Sequence, residues 1–187
     1  MEKLLQTKDE NAIVVKFATA DELDKIHQLN HETFAEEIPQ HEKRPDGKLL
    51  DAFHEKNTYI VALEGEELVG MVCYNSVRPF SLDKKLNNLD EHLPAHNKLV
   101  EVRLFAVRKN KRKQGIAISM LKVLIPSLIA QGYDLGVISG SVNELELYKN
   151  IGSVPFGPLV GTEKALFQPL YFHINNLRGA FKANIKE

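Results

Sequence analysis

The sequence predicts an α+β fold in which a mixed, mostly antiparallel β-sheet is flanked by helices. Strand-like and helix-like segments alternate along the chain, and the strand-like runs 58–64 and 68–74 are only three residues apart, as in an antiparallel hairpin. The 187 residues fit one domain, and 43% hydrophobic residues supply a core. We expect a single domain over 11–175, between an N-terminal arm (1–10) and a C-terminal tail (176–187).

Local patterns predict the individual elements. Residues 13–17 are β-branched and aromatic and indicate a strand. Thr19 and Glu22 then have the spacing of a capping box, so a helix is expected to about residue 37. The other expected elements are a short helix at 48–56, the hairpin at 58–74, an irregular excursion at 75–97, a strand at 99–107, a helix at 115–131, a strand at 135–139, a helix at 143–150 and a strand at 166–174.

Composition excludes several classes of function. The net charge of -1 gives no general reason for binding nucleic acid, and no apolar stretch approaches the ~18 residues of a membrane span. The single Cys73 cannot form an internal disulfide, which indicates a reducing compartment. We therefore expect a cytoplasmic protein with neither nucleic acid nor a membrane as partner. A homodimer is compatible with the sequence, which does not determine an oligomeric state.

The junction between the strand at 99–107 and the next helix carries the most informative segment. Five of the six residues from Arg108 to Lys113 are basic. The first turn of a helix has free amide groups and a positive dipole end, so it can hold a phosphate. Gly115 allows a ligand to approach the backbone, and the small Ala117 keeps the next turn clear. The same composition is also typical of a solvated loop or of a contact with RNA.

Two motifs resemble those of the Gcn5-related N-acetyltransferase (GNAT) family. Arg112-x-x-Gly115-x-Ala117 is similar to the signature that binds the pyrophosphate of coenzyme A, and 147–152 is similar to a helix end whose tyrosine, here Tyr148, lies near the thioester sulfur. The resemblance implies a splayed strand pair that forms a cleft for acetyl-coenzyme A (acetyl-CoA), the cosubstrate. Ser141 stands where the family usually has Asn, and Asn143 is the nearest asparagine. The implied coenzyme A residues are Phe105, Ala106, Val107, Arg112, Lys113, Gln114, Gly115, Ile116, Ala117, Ser141 and Asn143.

Acyl transfer to an amine requires a proton acceptor for the amine and a donor for the leaving thiolate. Period-two alternation places Glu101 on the same face as Phe105, and the resemblance implies that Glu101 is the base; an ion pair with Arg103 is the alternative. Tyr148 is the implied acid, with a core tyrosine as the alternative. A backbone amide within 105–107 would polarise the thioester carbonyl. His27 and His31 are four residues apart, but nothing completes a metal site, so no metal is expected.

The sequence therefore predicts transfer of an acetyl group to the amine of a small molecule or peptide, by direct attack in a ternary complex. An acidic cluster at Glu32, Glu36 and Glu37 would favour a cationic amine, unless it is only a solvated helix face. One alternative is a longer acyl donor, because Phe34-x-Glu36-Glu37 and Glu101-x-Arg103 resemble the autoinducer-synthase and N-acyl amino acid synthase branch of the superfamily. Another is a module that binds coenzyme A or RNA without catalysis.

Overall fold

The computed structural model describes residues 12–177, which form a mixed sheet flanked by helices. The elements are β1 (Ile13–Phe17), α1 (Leu23–His31), β2 (Thr58–Glu64), β3 (Glu67–Asn75), β4 (Leu99–Val107), α2 (Ile116–Ala130), β5 (Leu135–Ser141), α3 (Leu145–Asn150), β6 (Val154–Pro155), β7 (Val160–Thr162) and β8 (Ala165–His173). Within this part of the chain the eight strands lie in the order β1-β2-β3-β4-β5-β8-β6, with β7 beside β8. The parallel pair is β4 with β5, and the other pairs are antiparallel.

The predicted fold class is confirmed, and the β2–β3 hairpin lies where the sequence placed it. The predicted arm at 1–10 and residues 178–187 of the predicted tail lie outside the described residues. The sheet ends in two short strands that the sequence did not predict, because β6 has two residues and β7 has three.

Helix α1 covers one face of the sheet. The chain enters it through the expected capping box, in which the Glu22 carboxylate accepts hydrogen bonds from the Thr19 amide at 2.7 Å and from the Thr19 hydroxyl at 2.9 Å. Ile26 and Leu29 pack on the inward side chains of β2 and β3, including Cys73. After His31 the helix continues as a wider π-helical turn, Glu32–Glu37, so the helical stretch ends near residue 37 as predicted.

Helix α2 covers the opposite face and forms the largest apolar cluster. Met120, Leu124 and Leu128 are fully buried against alternate side chains of β2, β3 and β4. α2 has almost no charged residues, and it starts at the basic loop that follows β4. The position of its first turn therefore depends on this apolar packing.

The prediction of a helix at 48–56 is wrong. The segment consists of turns, with a single 3₁₀ turn at His54–Lys56. The Asp51 carboxylate accepts a hydrogen bond from the Phe53 amide at 3.0 Å, a local pairing that competes with helix formation. The same carboxylate also binds the Arg103 guanidinium of β4, so tertiary contacts hold the segment in its non-helical shape.

The excursion at 75–97 is irregular, as predicted, with one 3₁₀ turn at Leu89–His92. It is nevertheless part of the core. Phe80, Leu82 and Leu86 are buried in a third apolar cluster together with side chains of β5 and β8. The excursion therefore covers the sheet on the α1 side, next to the end of β5.

Strand β4 carries a bulge. From Met71 to Cys73, β3 advances two residues, while the paired residues of β4, Ala106 and Arg103, are three apart. The extra residue of β4 is accommodated at Leu104, which has φ +51°, a left-handed conformation that is uncommon for a leucine. Side chains before and after the bulge therefore do not follow one simple alternation.

Candidate active site

A cavity of about 560 Å³ opens where β4 and β5 separate. The two strands pair at Leu99–Glu101 and Leu135–Val137, and beyond these residues they diverge. The cavity passes between them, from the first turn of α2 on one side of the sheet to the α1 side. Its walls include these residues implied by the resemblance: Phe105, Ala106, Val107, Arg112, Lys113, Ile116, Ala117, Ser141, Asn143 and Tyr148. Three others, Glu101, Gln114 and Gly115, are not in the cavity wall as described.

The α2 end of the cavity has the chemistry of an anion site. Gly115 is the N-cap of α2 with φ +77°, and within residues 12–177 no side chain caps the helix. An ideal Cβ on Gly115 would have no atom of these residues within 4 Å, so they leave open space in front of the first amides. The small Ala117 lines the cavity in the same turn. A phosphate can approach these amides and the positive end of the helix dipole.

Acidic side chains neutralise much of the basic loop. Arg108 lies 3.3 Å from Glu32 and 3.5 Å from Glu67, and Lys111 pairs with Glu64. Among the described residues, Lys109 and Lys113 are the members of the run that make no ion pair. A loop whose charges are largely compensated is a weak attractant for a nucleic acid backbone.

Arg112 makes the most specific of these pairs. Its two terminal nitrogens contact the Glu37 carboxylate at 2.5 and 2.6 Å, and its Nε donates to the Val107 carbonyl at 3.0 Å. The hydrogen bond from Arg112 lowers the pKa of Glu37. Glu37 and Arg112 both line the cavity, so this ion pair joins the α1 wall to the predicted pyrophosphate loop. To bind Arg112, a pyrophosphate must displace the Glu37 carboxylate or share the Arg112 guanidinium with it.

The predicted acidic cluster does not act as one patch. Glu32 pairs with Arg108, Glu37 pairs with Arg112, and Glu36 lies 3.0 Å from Nδ1 of the buried His31. Nε2 of His31 accepts a hydrogen bond from the Arg44 amide at 2.8 Å, which fixes the orientation of this histidine, and its Nδ1 makes no hydrogen bond in the described structure. Two of the three carboxylates, Glu32 and Glu37, are thus neutralised by arginines, which weakens the expected preference for a cationic amine.

Tyr148 lies in α3 with its ring against β5. A Cβ on Gly140 would come within 2.7 Å of the Tyr148 ring, so the glycine allows this close approach. Burial, together with the nearby Glu144 carboxylate, raises the pKa of Tyr148 to about 12. The hydroxyl therefore stays protonated at neutral pH. A protonated hydroxyl in the cavity wall can donate a hydrogen bond to a leaving thiolate.

Glu101 is buried, with 1% of its surface exposed, and its carboxylate is fully engaged. It accepts hydrogen bonds from the Ser81 amide (2.9 Å), the Ser81 hydroxyl (2.6 Å) and the Leu82 amide (3.0 Å). Nε of Arg103 lies 3.5 Å away, which is the ion pair that the sequence offered as the alternative. Ser81 lines the cavity, so any effect of Glu101 on a ligand must pass through its neighbours.

The expectation that Glu101 shares a face with Phe105 and Val107 is wrong. Phe105 and Val107 pack with the α2 cluster, whereas Leu104 and Ala106 pack with the α1 cluster. The bulge at Leu104 shifts the alternation by one residue, so Glu101 lies on the α1 side. Because the cavity crosses the sheet here, β4 contributes side chains to both of its halves.

Several cavity residues on the α1 side were not predicted from the sequence, among them Ser81, Lys85 and Ser139. Ser81 and Lys85 lie in the excursion, where no motif marks them, and Ser139 lies in β5. The Oγ atom of Ser139 is buried without a hydrogen-bond partner in the described structure. The local signal that the sequence offers for a buried segment is the apolar character of Phe80, Leu82 and Leu86, and their spacing does not show which polar side chains face a ligand.

Residues 12–177 contain neither a cluster of metal-ligating side chains nor a membrane-spanning helix. No three His, Cys, Asp or Glu side chains in this part of the chain come together as metal ligands would. None of the helices described there has the length and apolar character to cross a lipid bilayer.

Comparison with known proteins agrees with the geometry. The sequence profile of the acetyltransferase (GNAT) family matches residues 23–152. The chain belongs to this family. The matched range begins at α1 and ends at Gly152, so it contains both GNAT motifs. No curated protein gives a significant match to the chain.

Several solved structures share this GNAT fold. The acyl-homoserine lactone synthase BjaI, solved with MTA, has a TM-score of 0.75 and 19% identity, over 92% of this chain and 89% of BjaI. FeeM, an N-acyl amino acid synthase from uncultured soil microbes, has a TM-score of 0.68 and 16% identity, over 90% of this chain and 96% of FeeM. An N-acetyltransferase from Lactobacillus plantarum, described as such only provisionally, has a TM-score of 0.64 and 14% identity, over 88% and 99%. At these identities the likeness shows the fold alone.

Proposed function

We propose that this GNAT protein transfers an acetyl group from acetyl-CoA to the amine of a small molecule or peptide. The observation that carries the proposal is the separation of β4 from β5 after Glu101 and Val137, which opens the sheet beside an uncapped helix start. Pyrophosphate would bind the first amides of α2, and the pantetheine arm would lie along the free edge of β4. The thioester would then reach the middle of the cavity, between the two faces of the sheet.

The side chains of the cavity support direct attack by the amine. Cys73, the single cysteine, is fully buried in the α1 cluster and is absent from the cavity wall, and burial raises the pKa of its thiol. It is a poor nucleophile for a covalent acyl intermediate. In the proposed reaction the amine nitrogen attacks the thioester carbon, a backbone amide within 105–107 stabilises the oxyanion, and Tyr148 protonates the departing thiolate.

Removal of the amine proton is assigned to Glu101 acting through Ser81. The Ser81 hydroxyl donates its proton to Glu101 at 2.6 Å, so the oxygen lone pairs are available to an N–H in the cavity. As the amine proton moves to Ser81 Oγ, the serine proton moves to the carboxylate. The three hydrogen bonds to Glu101 hold this pair in place.

A longer acyl donor is the second candidate, and the apolar wall of the cavity favours it. Phe34, Ile38 and Leu104 line the α1 half together with Phe167. These side chains could enclose several methylene groups, each worth roughly 0.8 kcal/mol when buried. The structural likeness to synthases of acyl-homoserine lactones and N-acyl amino acids gives the same alternative.

Thiol release distinguishes these proposals. Purified protein is incubated with acyl-CoAs of increasing chain length and a panel of amines, and free coenzyme A is measured. Release that is fastest with acetyl-CoA supports the first proposal, and release that rises with chain length supports the second. Binding of coenzyme A without release from any donor and amine pair would indicate a non-catalytic binding module.

A further inference from the structure

We infer that the α1 half of the cavity binds an acidic group of the acceptor, a carboxylate or a phosphate, on the ammonium group of Lys85. The acceptor would thus carry an amine and an acid. This inference rests on the proposed function, because it assigns the acceptor side of the same cavity.

Lys85 faces the cavity without an ionic partner. In the described part of the chain no carboxylate lies within ion-pair distance of its Nζ, which instead lies 5.8 Å from the centre of the Phe167 ring. Desolvation by neighbouring atoms lowers the pKa of Lys85, and the attraction of Glu101 does not fully compensate, although the side chain is still exposed to solvent. An ammonium group that lines the cavity without an ionic partner attracts an anion that enters the cavity.

The nearby carboxylates are already occupied. Asp51 receives two hydrogen bonds from Arg103, at 2.6 and 2.9 Å, and others from Asn57 and the Phe53 amide. Although burial raises the pKa of Asp51, the hydrogen bonds and charge of Arg103 lower it overall, as expected for a bound carboxylate. Glu101 is held by the Ser81 and Leu82 groups described above. Neither acid is free to move to Lys85 without leaving buried donors unpaired.

Ser81 and Lys85 belong to one turn of the chain. The amides of Lys85 and Leu86 both donate to the Leu82 carbonyl, at 3.0 and 2.9 Å, so the turn is closed by its own backbone. Both side chains line the cavity. If the amine of the acceptor contacts Ser81, an acidic group on the same acceptor can reach Lys85, which lies one turn away. The amine and the acid of the acceptor must then be only a short distance apart.

Ser139 supplies a second donor for the same ligand. Its hydroxyl is buried, lines the cavity from β5, and has no hydrogen-bond partner in the described structure. Unpaired buried hydroxyls are uncommon because each loses its bonds to water. An oxygen atom of the bound acid would accept a hydrogen bond from this hydroxyl, whereas an amine with only apolar groups would leave the hydroxyl unpaired.

The test uses product analogues, so that binding can be measured without turnover. The probes are N-acetylated amino acids, their primary amides, and the matching N-acetylated aminophosphonates, titrated by calorimetry in the presence of coenzyme A. The variants are Lys85→Met, which removes the charge at similar volume, and Lys84→Met as the matched control. The Lys84 ammonium lies 4.7 Å from the centre of the Phe53 ring, and Lys84 is not among the cavity residues.

We expect acids to bind the wild-type protein at least about 10-fold more tightly than amides, a preference that Lys85→Met removes and Lys84→Met keeps. Comparison of carboxylates with phosphonates identifies which acid fits. Equal binding of acids and amides to the wild type, or an unchanged preference in folded Lys85→Met, overturns the inference. Failure of the proposed function has a different signature, which is the absence of thiol release with every donor and amine.

Discussion

Gly115→Asp tests the predicted pyrophosphate site directly. The new carboxylate would stand at the N-cap of α2, where it can accept hydrogen bonds from the amides assigned to the phosphate. No atom of the described residues lies within 4 Å of the Cβ position, so the substitution causes no clash with them. The backbone cost comes from φ +77°, and for a residue other than glycine it is about 1 kcal/mol.

The loss of binding can be estimated from charge. A carboxylate about 5 Å from a phosphate repels it by about 1–3 kcal/mol at effective dielectric constants between water and a protein surface. A central value of about 2 kcal/mol raises the Kd of coenzyme A about 30-fold. The Kd is measured by calorimetry at fixed ionic strength, because this repulsion is screened by salt.

Gly132 provides the matched control. It follows the last turn of the same helix with φ +79°, and its Cβ position also has no neighbour within 4 Å in the part of the chain that the structure describes. Gly132→Asp therefore carries a similar backbone cost at the opposite end of α2, far along the helix from the loop. If folded Gly115→Asp binds coenzyme A within about 3-fold of wild type, or if both variants lose affinity equally, the pyrophosphate does not lie on these amides.

Four further outcomes are expected. Tyr148→Phe should lower kcat about 100-fold with little change in donor KM, measured by thiol release; a kcat within about 2-fold of wild type assigns the ring to packing. Glu101→Gln should displace the acidic limb of the plot of kcat/KM against pH. An unchanged limb in folded protein would mean that Glu101 only anchors the excursion at 75–97. Glu37→Gln should tighten coenzyme A binding about 2- to 5-fold by calorimetry, because Arg112 is released from its partner; weaker binding would mean that Glu37 positions Arg112. Hydrogen bonds from Lys16 and Thr19 lower the pKa of Glu22 to about 2, so its contribution is complete above pH 4.5 and is lost as pH falls through about 2. Glu22→Gln should therefore cost about 1 kcal/mol in urea unfolding at pH 7, and this difference should shrink at pH 3; a constant difference would refute the ionic part.

The fold was largely predictable because its signals are local. The Thr19 and Glu22 capping box, the alternation in the hairpin and the apolar run of α2 each report the element that contains them. The prediction of a helix at 48–56 is wrong because the deciding contact is not local. Asp51 is bound by Arg103, which is 52 residues away, and no local pattern records that contact. Helical propensity was overridden there by tertiary hydrogen bonds.

The candidate site divides in the same way. The donor half is built on a strand, a loop and a helix start that are continuous in sequence, so Arg112, Gly115 and Ala117 could be identified together. The α1 half collects Ser81, Lys85 and Ser139 from separate segments, and the excursion contributes them without a motif. The same limitation explains the wrong face for Glu101, because one extra residue at Leu104 is invisible to an alternation pattern.

In the open part of β4, beyond its bulge, consecutive residues are independent points of control because a strand points them to opposite faces of the sheet. Leu104 belongs to the α1 side of the cavity and Phe105 to the α2 side, although a single peptide bond joins them. Changes in size at Leu104 would thus reshape the space for the acceptor, while changes at Phe105 would act on the space beside the donor. A substitution at one of these two neighbouring positions can therefore change the specificity for one substrate without changing that for the other, and without any movement of the sheet.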